Sequence, residues 1–283
     1  MLSPIATTVA DTRSAVAAAR KAGRRIGFVP TMGALHAGHA ALIRASRAET
    51  DFTVVSIFVN PTQFGPNEDY SRYPRTLDAD RQLCAQVGTD LIFAPTAEEM
   101  YPPDVRTTVE VGSLGEVLCG ASRPGHFRGV ATVVLKLFNI VQPDFAYFGQ
   151  KDAQQVAIIR RMTADLNLPV RIRVIPTVRE ADGLAMSSRN RYLDPGQRLN
   201  ATCLDRALKK VDQLFANGER RVPVLEAAMA GIVAATPGAR LDYARVVDAN
   251  TLDTIAAVDR PALAALAVYF GATRLIDNSL LAP

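Results

Sequence analysis

The sequence predicts an α/β fold, a Rossmann-like doubly wound parallel sheet with a second, smaller α+β domain at the C-terminal end. Three observations predict it. Short apolar runs alternate with segments of helical periodicity over the first two-thirds of the chain. Some of those runs, such as residues 53–59 (TVVSIFV), are apolar on both faces, and the alternation stops near Pro176. Strands buried on both faces belong to parallel sheets with helices on either side. Strand and helix in alternation imply right-handed crossovers in one open sheet.

Taken in order, residues 12–22 have helical spacing and run into Gly23, a natural C-terminal cap. Residues 25–29 (RIGFV) have strand length, 40–49 read as helix and 53–59 as buried strand. Residues 77–87 are helical and 90–94 (DLIFA) form another strand. A long apolar helix over 130–141 precedes strand 144–148 (DFAYF), helix 153–165 and strand 170–175. Beyond Pro176, helices at 195–218 and 222–236 lead to short strands at 241–247, 263–270 and 274–278. Domains are therefore expected at 1–176 and 177–283. Pro176 is the hinge, because proline restricts itself and its predecessor to extended backbone.

A chain of 283 residues can build one large core or two unequal ones. Its net charge of +4 comes without any Lys/Arg block, which argues against a nucleic-acid partner. A small anionic substrate accounts for the excess, and so does chance. No stretch approaches the ~18 apolar residues of a membrane span, and the N-terminus lacks a basic-then-apolar signal pattern. Cys84, Cys119 and Cys203 are dispersed, without CxxC or metal spacing, and read as reduced thiols. A cytoplasmic location is expected.

In open α/β sheets ligands sit beyond the carboxyl ends of the strands, and the polar motifs gather there. Two of the three histidines lie in Pro30-Thr31-Met32-Gly33-Ala34-Leu35-His36-Ala37-Gly38-His39, between the first sheet strand and a helix. Residues three apart at a helix start face the same way, so His36 and His39 can address one ligand. The helix N-terminus adds unpaired N–H groups and partial positive charge that suit phosphate. Gly33 and Gly38 let a base or phosphate lie close to the backbone. GxGxxG is absent, and a zinc pair would lack further ligands nearby.

Gly183-Leu184-Ala185-Met186-Ser187-Ser188-Arg189-Asn190 sets two hydroxyls and a guanidinium on a glycine-led turn, donors suited to polyphosphate. Gly149-Gln150-Lys151-Asp152 straddles a strand end and a helix start, with Gln155 one turn on; a capped helix with a surface lysine has the same sequence. Asn60 and Gln63, beside Phe64, offer donors and acceptors fitting a small branched hydroxy acid. Arg123 to Gly129 (RPGHFRG), holding the third histidine, reads as a mobile cationic lid or an ordinary exposed loop.

His36-Ala37-Gly38-His39 resembles the HxGH signature of the nucleotidyltransferase superfamily. Met186 to Arg189 resembles its KMSKS loop, with Arg189 where a lysine often stands. PTMGALHAGH, FVNPTQFG, RPGHFRGV, FGQKDAQQ and MSSRN, in this order, with RLIDN at the end, resemble the pantothenate synthetase (pantoate–β-alanine ligase) family. That resemblance implies ATP as substrate with Mg²⁺, a pantoyl-adenylate intermediate, attack by β-alanine, and a homodimer. It implies a nucleotide site of Met32, Gly33, Ala34, Leu35, His36, Ala37, Gly38, His39, Gly149, Gln150, Lys151, Asp152, Val178, Met186, Ser187, Ser188 and Arg189.

Catalysis falls by the same resemblance to His39, as proton donor, with His36, Lys151 and Arg189. Gln63, Gln155 and Asn60 are expected to hold pantoate, with β-alanine entering at Gln63. No metal ligand is assigned, and Arg123 and His126 are left as lid residues. The amide set argues against an adenylyltransferase that keeps the nucleotide on its product, since such enzymes grip an anionic phosphate acceptor. Intact His36, His39, Lys151 and Arg189 argue against a non-catalytic nucleotide sensor. The small C-terminal part argues against a tRNA synthetase.

Overall fold

The structure, a computed structural model, describes residues 2–66 and 68–283. The first domain runs β1 (Ile5–Ala6), α1 (Val9–Lys21), β2 (Ile26–Thr31), α2 (Ala37–Glu49), β3 (Phe52–Ile57), α3 (Leu77–Val87), β4 (Leu91–Phe93) and the short α4 (Ala97–Met100) and α5 (Cys119–Ser122). It continues through α6 (His126–Val141), β5 (Phe145–Gly149), α7 (Ala153–Asp165) and β6 (Arg171–Ile175). The second holds α8 (Pro195–Asn200), α9 (Cys203–Ala216), α10 (Val222–Ala234), β7 (Ala239–Asp248), β8 (Ala262–Phe270) and β9 (Thr273–Leu281).

Six parallel strands pair in the order β1-β4-β3-β2-β5-β6. Side chains alternate across the sheet, so neighbouring apolar residues feed opposite faces. Phe28 and Val54 join α1, α6 and α7 in one core, while Val29 and Val55 join α2 and α3 in the other. This is the doubly wound arrangement the two-faced apolar runs predicted. The chain winds outward through β2, β3 and β4, then returns to place β5 on the other side of β2. The crevice between the carboxyl ends of β2 and β5 is thus the switch point where such sheets bind ligands.

The C-terminal sheet is antiparallel, β7-β8-β9. One face of β8 (Ala264, Leu266, Val268) packs on α9 and α10, and the other (Leu263, Ala265) on Ala157 of α7. The second domain is therefore docked against the first by a buried apolar face.

Three expectations are corrected. Helix α6 begins at His126 rather than at residue 130, because Phe127 and Val130 already turn into the core. RPGHFRG is thus a helix start, capped by Gly125 at φ 81°, and not a free loop. The single helix expected over 195–218 is two, α8 and α9, separated at Ala201–Thr202. Strand β1 escaped notice because two residues carry no periodicity; it is held by parallel pairing to β4.

Candidate active site

A cavity of about 850 Å³ opens at the carboxyl ends of β2 and β5 and is walled on its far side by β9. His36 is the N-cap of α2 and His39 lies in its first turn, forming a reciprocal cap. Nδ1 of His36 accepts the Gly38 N–H at 3.1 Å, and Nδ1 of His39 accepts the His36 N–H at 3.2 Å. With both Nδ1 atoms accepting, each ring carries its proton on Nε2. The rings sit 4.2 Å apart, centroid to centroid, on the cavity wall.

Burial, followed by the charge of Lys151, lowers the His36 pKa to about 4. Burial, then His36 and Lys151, lowers that of His39 to about 3. Both imidazoles are therefore neutral at pH 7. In this geometry His39 is a neutral imidazole whose Nε2–H is a hydrogen-bond donor.

The loop before α2 turns through left-handed backbone at Gly33 (φ 82°) and Ala34 (φ 50°). Its N–H groups do not wait for phosphate. The carboxylate of Asp80 on α3, only 2% exposed, accepts from Ala34 at 3.0 Å and Leu35 at 2.8 Å. It also takes the Thr76 hydroxyl at 3.2 Å. Met32, His36, Gly38 and His39 line the cavity, whereas Gly33, Ala34, Leu35 and Ala37 do not and instead shape the turn.

Gly149, Lys151 and Asp152 form the β5 edge of the cavity, with Gln155 on the first turn of α7. Lys151 Nζ lies 3.5 Å from the Asp152 carboxylate. Gln150 points elsewhere, donating to Asn278 Oδ1 at 3.0 Å. In return Asn278 Nδ2 donates to the carbonyls of Gln150 (3.0 Å) and Lys151 (2.9 Å). The preceding residue, Asp277, accepts Arg179 Nη1 at 2.6 Å, and the same nitrogen donates to the Gly183 carbonyl at 3.0 Å. One dipeptide of β9 thus fastens both polar loops. Sequence reasoning missed Asp80, which no local pattern marks, and gave no organising role to Asp277 and Asn278, although both lie in the RLIDN motif.

Val178, Met186, Ser187, Ser188 and Arg189 also line the cavity. Arg189 is not free: it forms a two-pronged ion pair with Asp69 at 3.0 and 2.9 Å. Asn60, 1% exposed, donates to Gln63 Oε1 at 3.0 Å and the Gly129 carbonyl at 3.2 Å, and accepts the Tyr101 hydroxyl at 2.9 Å. It fixes Gln63, whose Nε2 meets Met32 Sδ at 3.1 Å.

Arg123 and His126 also serve Gln63. His126 Nδ1–H donates to the Gln63 carbonyl at 2.8 Å, leaving Nε2 to accept from Arg123 at 3.0 Å, while Arg123 pairs with Glu68. Burial and the Arg123 charge lower the His126 pKa to about 4.

The family model for pantoate-beta-alanine ligase matches residues 4–280. The chain belongs to the pantoate–β-alanine ligase family. It is 58% identical over 274 residues to pantothenate synthetase of Moorella thermoacetica, spanning 97% of each chain. The relative from Pelotomaculum thermopropionicum is 55% identical over 277 residues, 98% of each.

Among solved structures, a pantothenate synthetase from Thermus thermophilus superposes with a TM-score of 0.94 at 48% identity, covering 99% of this chain and 100% of that one. A pantoate-beta-alanine ligase from Francisella tularensis, complexed with beta-gamma ATP and beta-alanine, gives a TM-score of 0.79 at 36% identity. It covers 98% of this chain and 97% of its own.

Like other pantoate–β-alanine ligases, the enzyme carries out the ATP-dependent condensation of pantoate with β-alanine, a step of pantothenate biosynthesis. Among the described residues no helix is long and apolar enough to cross a membrane, and the three cysteines are free and buried.

Proposed function

We propose that this cavity runs the ligation in two steps, with the pantoate carboxylate attacking the α-phosphate of ATP and the β-alanine amine then attacking the acyl carbon of pantoyl-adenylate. The observation that carries the reading is convergence. Two neutral imidazoles with Nε2–H groups, Lys151 beside Asp152 and near enough to act on both rings, and Gln63 all line one cavity. Donors set beforehand around an oxygen that gains charge need no rearrangement in the transition state. His36, His39, Lys151 and Arg189 are assigned to the phosphates. Gly149, Asp152, Val178, Met186, Ser187 and Ser188 complete the nucleotide wall, and Gln63 and Gln155 hold pantoate.

Pre-orientation supports the amide assignment. Gln63 is fixed from three directions, by Asn60, by Met32 and by the Arg123–His126 pair at its carbonyl. An oxygen held in line with the α-phosphorus converts an encounter into an intramolecular displacement.

Mg²⁺ belongs to the same reading. Among the described residues no three His, Cys, Asp or Glu gather as a metal cage, which fits an ion that keeps its waters and binds mainly through phosphates. Asp152, beside Lys151 on the cavity wall, is the carboxylate placed to reach it. The ion would spread the negative charge of the triphosphate. The homodimer and the cytoplasmic location are retained on the family resemblance and the three free thiols.

Incubation with ATP, pantoate and Mg²⁺ but no β-alanine tests the proposal. Pyrophosphate should appear in a burst of about one equivalent per site, and ¹⁸O from labelled pantoate carboxylate should enter AMP once the amine is added. Label in inorganic phosphate with ADP as co-product would mean an acyl-phosphate and end the reading.

A further inference from the structure

Glu68 and Asp69 are adjacent acids in a segment that carries no assigned chemistry, yet each holds an arginine from a different wall of the cavity. Glu68 takes Arg123 from the end of α5, just before α6, and Asp69 takes Arg189 from the polar turn after β6. The second pair has a specific edge. Arg189 Nε donates to Asp69 Oδ2 at 3.0 Å and Nη2 to Oδ1 at 2.9 Å. A guanidinium is planar with five donors in fixed directions. Engaging the Nε/Nη2 edge therefore leaves both protons of Nη1 outside the pair, and fixes the plane in which they point.

The surroundings hold that plane. Arg189 Cζ lies 5.9 Å from the Tyr73 ring centroid, and the Tyr73 hydroxyl is 3.2 Å from Ser188 Oγ. Ser187 Oγ accepts the Arg189 backbone N–H at 3.2 Å. Side-chain exposure is 28% for Arg189 and 14% for Asp69, so the pair is partly desolvated and both members line the cavity. A long arginine side chain in water samples many rotamers, and ordering it costs free energy when it is needed. Here that ordering is done before any nucleotide arrives.

We propose that Asp69 is a positioning residue for the adenylation step: it clamps the Nε/Nη2 edge of Arg189 so that Nη1 is presented to the triphosphate. This rests on the assignment of Arg189 to the phosphates. Asp69 touches no substrate and acts only through Arg189. The contrary arrangement, in which Asp69 occupies the guanidinium as a substitute anion and must be displaced by ATP, would use the fork edge for phosphate. It would make Asp69 a competitor of the nucleotide.

A double-mutant cycle on the full-length enzyme separates these possibilities, using the steady-state kcat and ATP KM of pyrophosphate release with ATP, pantoate, β-alanine and Mg²⁺. Asp69→Ala should lower kcat by about 10- to 100-fold, with a smaller change in the ATP KM and the melting temperature retained. Asp69→Asn, which keeps one acceptor and the side-chain volume, should fall between Asp69→Ala and the parent. In an Arg189→Ala background the same Asp69 changes should cost no more than about 2-fold, because their target is gone.

Losses that multiply in the double variant would overturn the inference, since Asp69 would then act independently of Arg189. A lower ATP KM with kcat kept in Asp69→Ala would overturn it too, in favour of competition. Near-normal activity of Arg189→Ala alone would instead remove the phosphate assignment beneath it. Should Asp69→Ala fail to fold, Asp69→Asn carries the cycle unaided.

Discussion

Gly129 sits on α6, four residues into the helix, where alanine would ordinarily add about 1 kcal/mol of helix stability. The tertiary structure reverses that expectation. A Cβ at this position would lie 2.3 Å from the carbonyl oxygen of Thr62, 2.6 Å from its carbon and 2.7 Å from the Gln63 nitrogen. These are backbone atoms with no rotamer to change, so the turn at Pro61–Gln63 would have to retreat by roughly 1 Å to reach ordinary contact distance. Overpacking of this kind costs about 1–3 kcal/mol, which outweighs the helical gain by roughly 0–2 kcal/mol. For a chain of this size that is a fall in Tm of up to about 8 °C.

The functional cost is larger, because the displaced turn carries Gln63 and because Asn60, which orients it, donates to the Gly129 carbonyl at 3.2 Å. A displacement of about 1 Å in a positioning group can cost on the order of 10²-fold. Gly129→Ala should therefore lower kcat/KM for pantoate by about 10- to 100-fold and spare the ATP KM. Differential scanning calorimetry and initial rates with each substrate varied in turn would measure both. A variant with raised Tm and unchanged pantoate kinetics would refute the argument, since it would mean that helix propensity outweighs the backbone contact.

Two further predictions concern the histidines. His39→Ala should reduce adenylate-dependent pyrophosphate release by about 10²–10³-fold, the usual loss of one pre-set donor, with the far-ultraviolet circular dichroism preserved; a near-parental rate would take His39 out of the mechanism. The pKa values of His36 (about 4), His39 (about 3) and His126 (about 4) all lie below the ordinary 6.5. The unfolded chain thus takes up these protons first as the pH falls, so their contribution to stability is complete above 6.5 and is lost progressively from there down to about 3. Urea midpoints should be lower at pH 5 than at pH 7.5, and equal midpoints would contradict the buried neutral state.

Much of this was legible in the sequence. Periodicity and two-faced apolar runs specify a parallel doubly wound sheet, because burial on both faces leaves no other layer arrangement. The carboxyl-end rule gathers His36, His39 and Lys151 at one edge of the sheet, and in the structure all three line one cavity. Helices α3 and α7 carry the limits their spacing predicted, residues 77–87 and 153–165. The ordered motifs carried the family resemblance, which the comparisons establish over residues 4–280.

Other features are contacts between residues far apart in the chain, and no local pattern encodes them. Asp80 reaches across 46 residues to shape the turn before His36, and Asp69 reaches across 120 to fix Arg189. Asn278 reaches across 127 to hold the carbonyl of Lys151. RPGHFRG looked like a loop because glycine and proline punctuate it, yet burial of Phe127 and the close approach of Gly129 to Thr62 draw it into α6. The sequence by itself determined that the polar motifs gather at strand ends, since the alternation of strand and helix follows from where apolar side chains can be buried; the strand order was set by the tertiary structure. Which carboxylate grips which arginine or amide was decided only by the tertiary structure, because a hydrogen bond depends on ångström-scale distance and direction that emerge once both domains have packed.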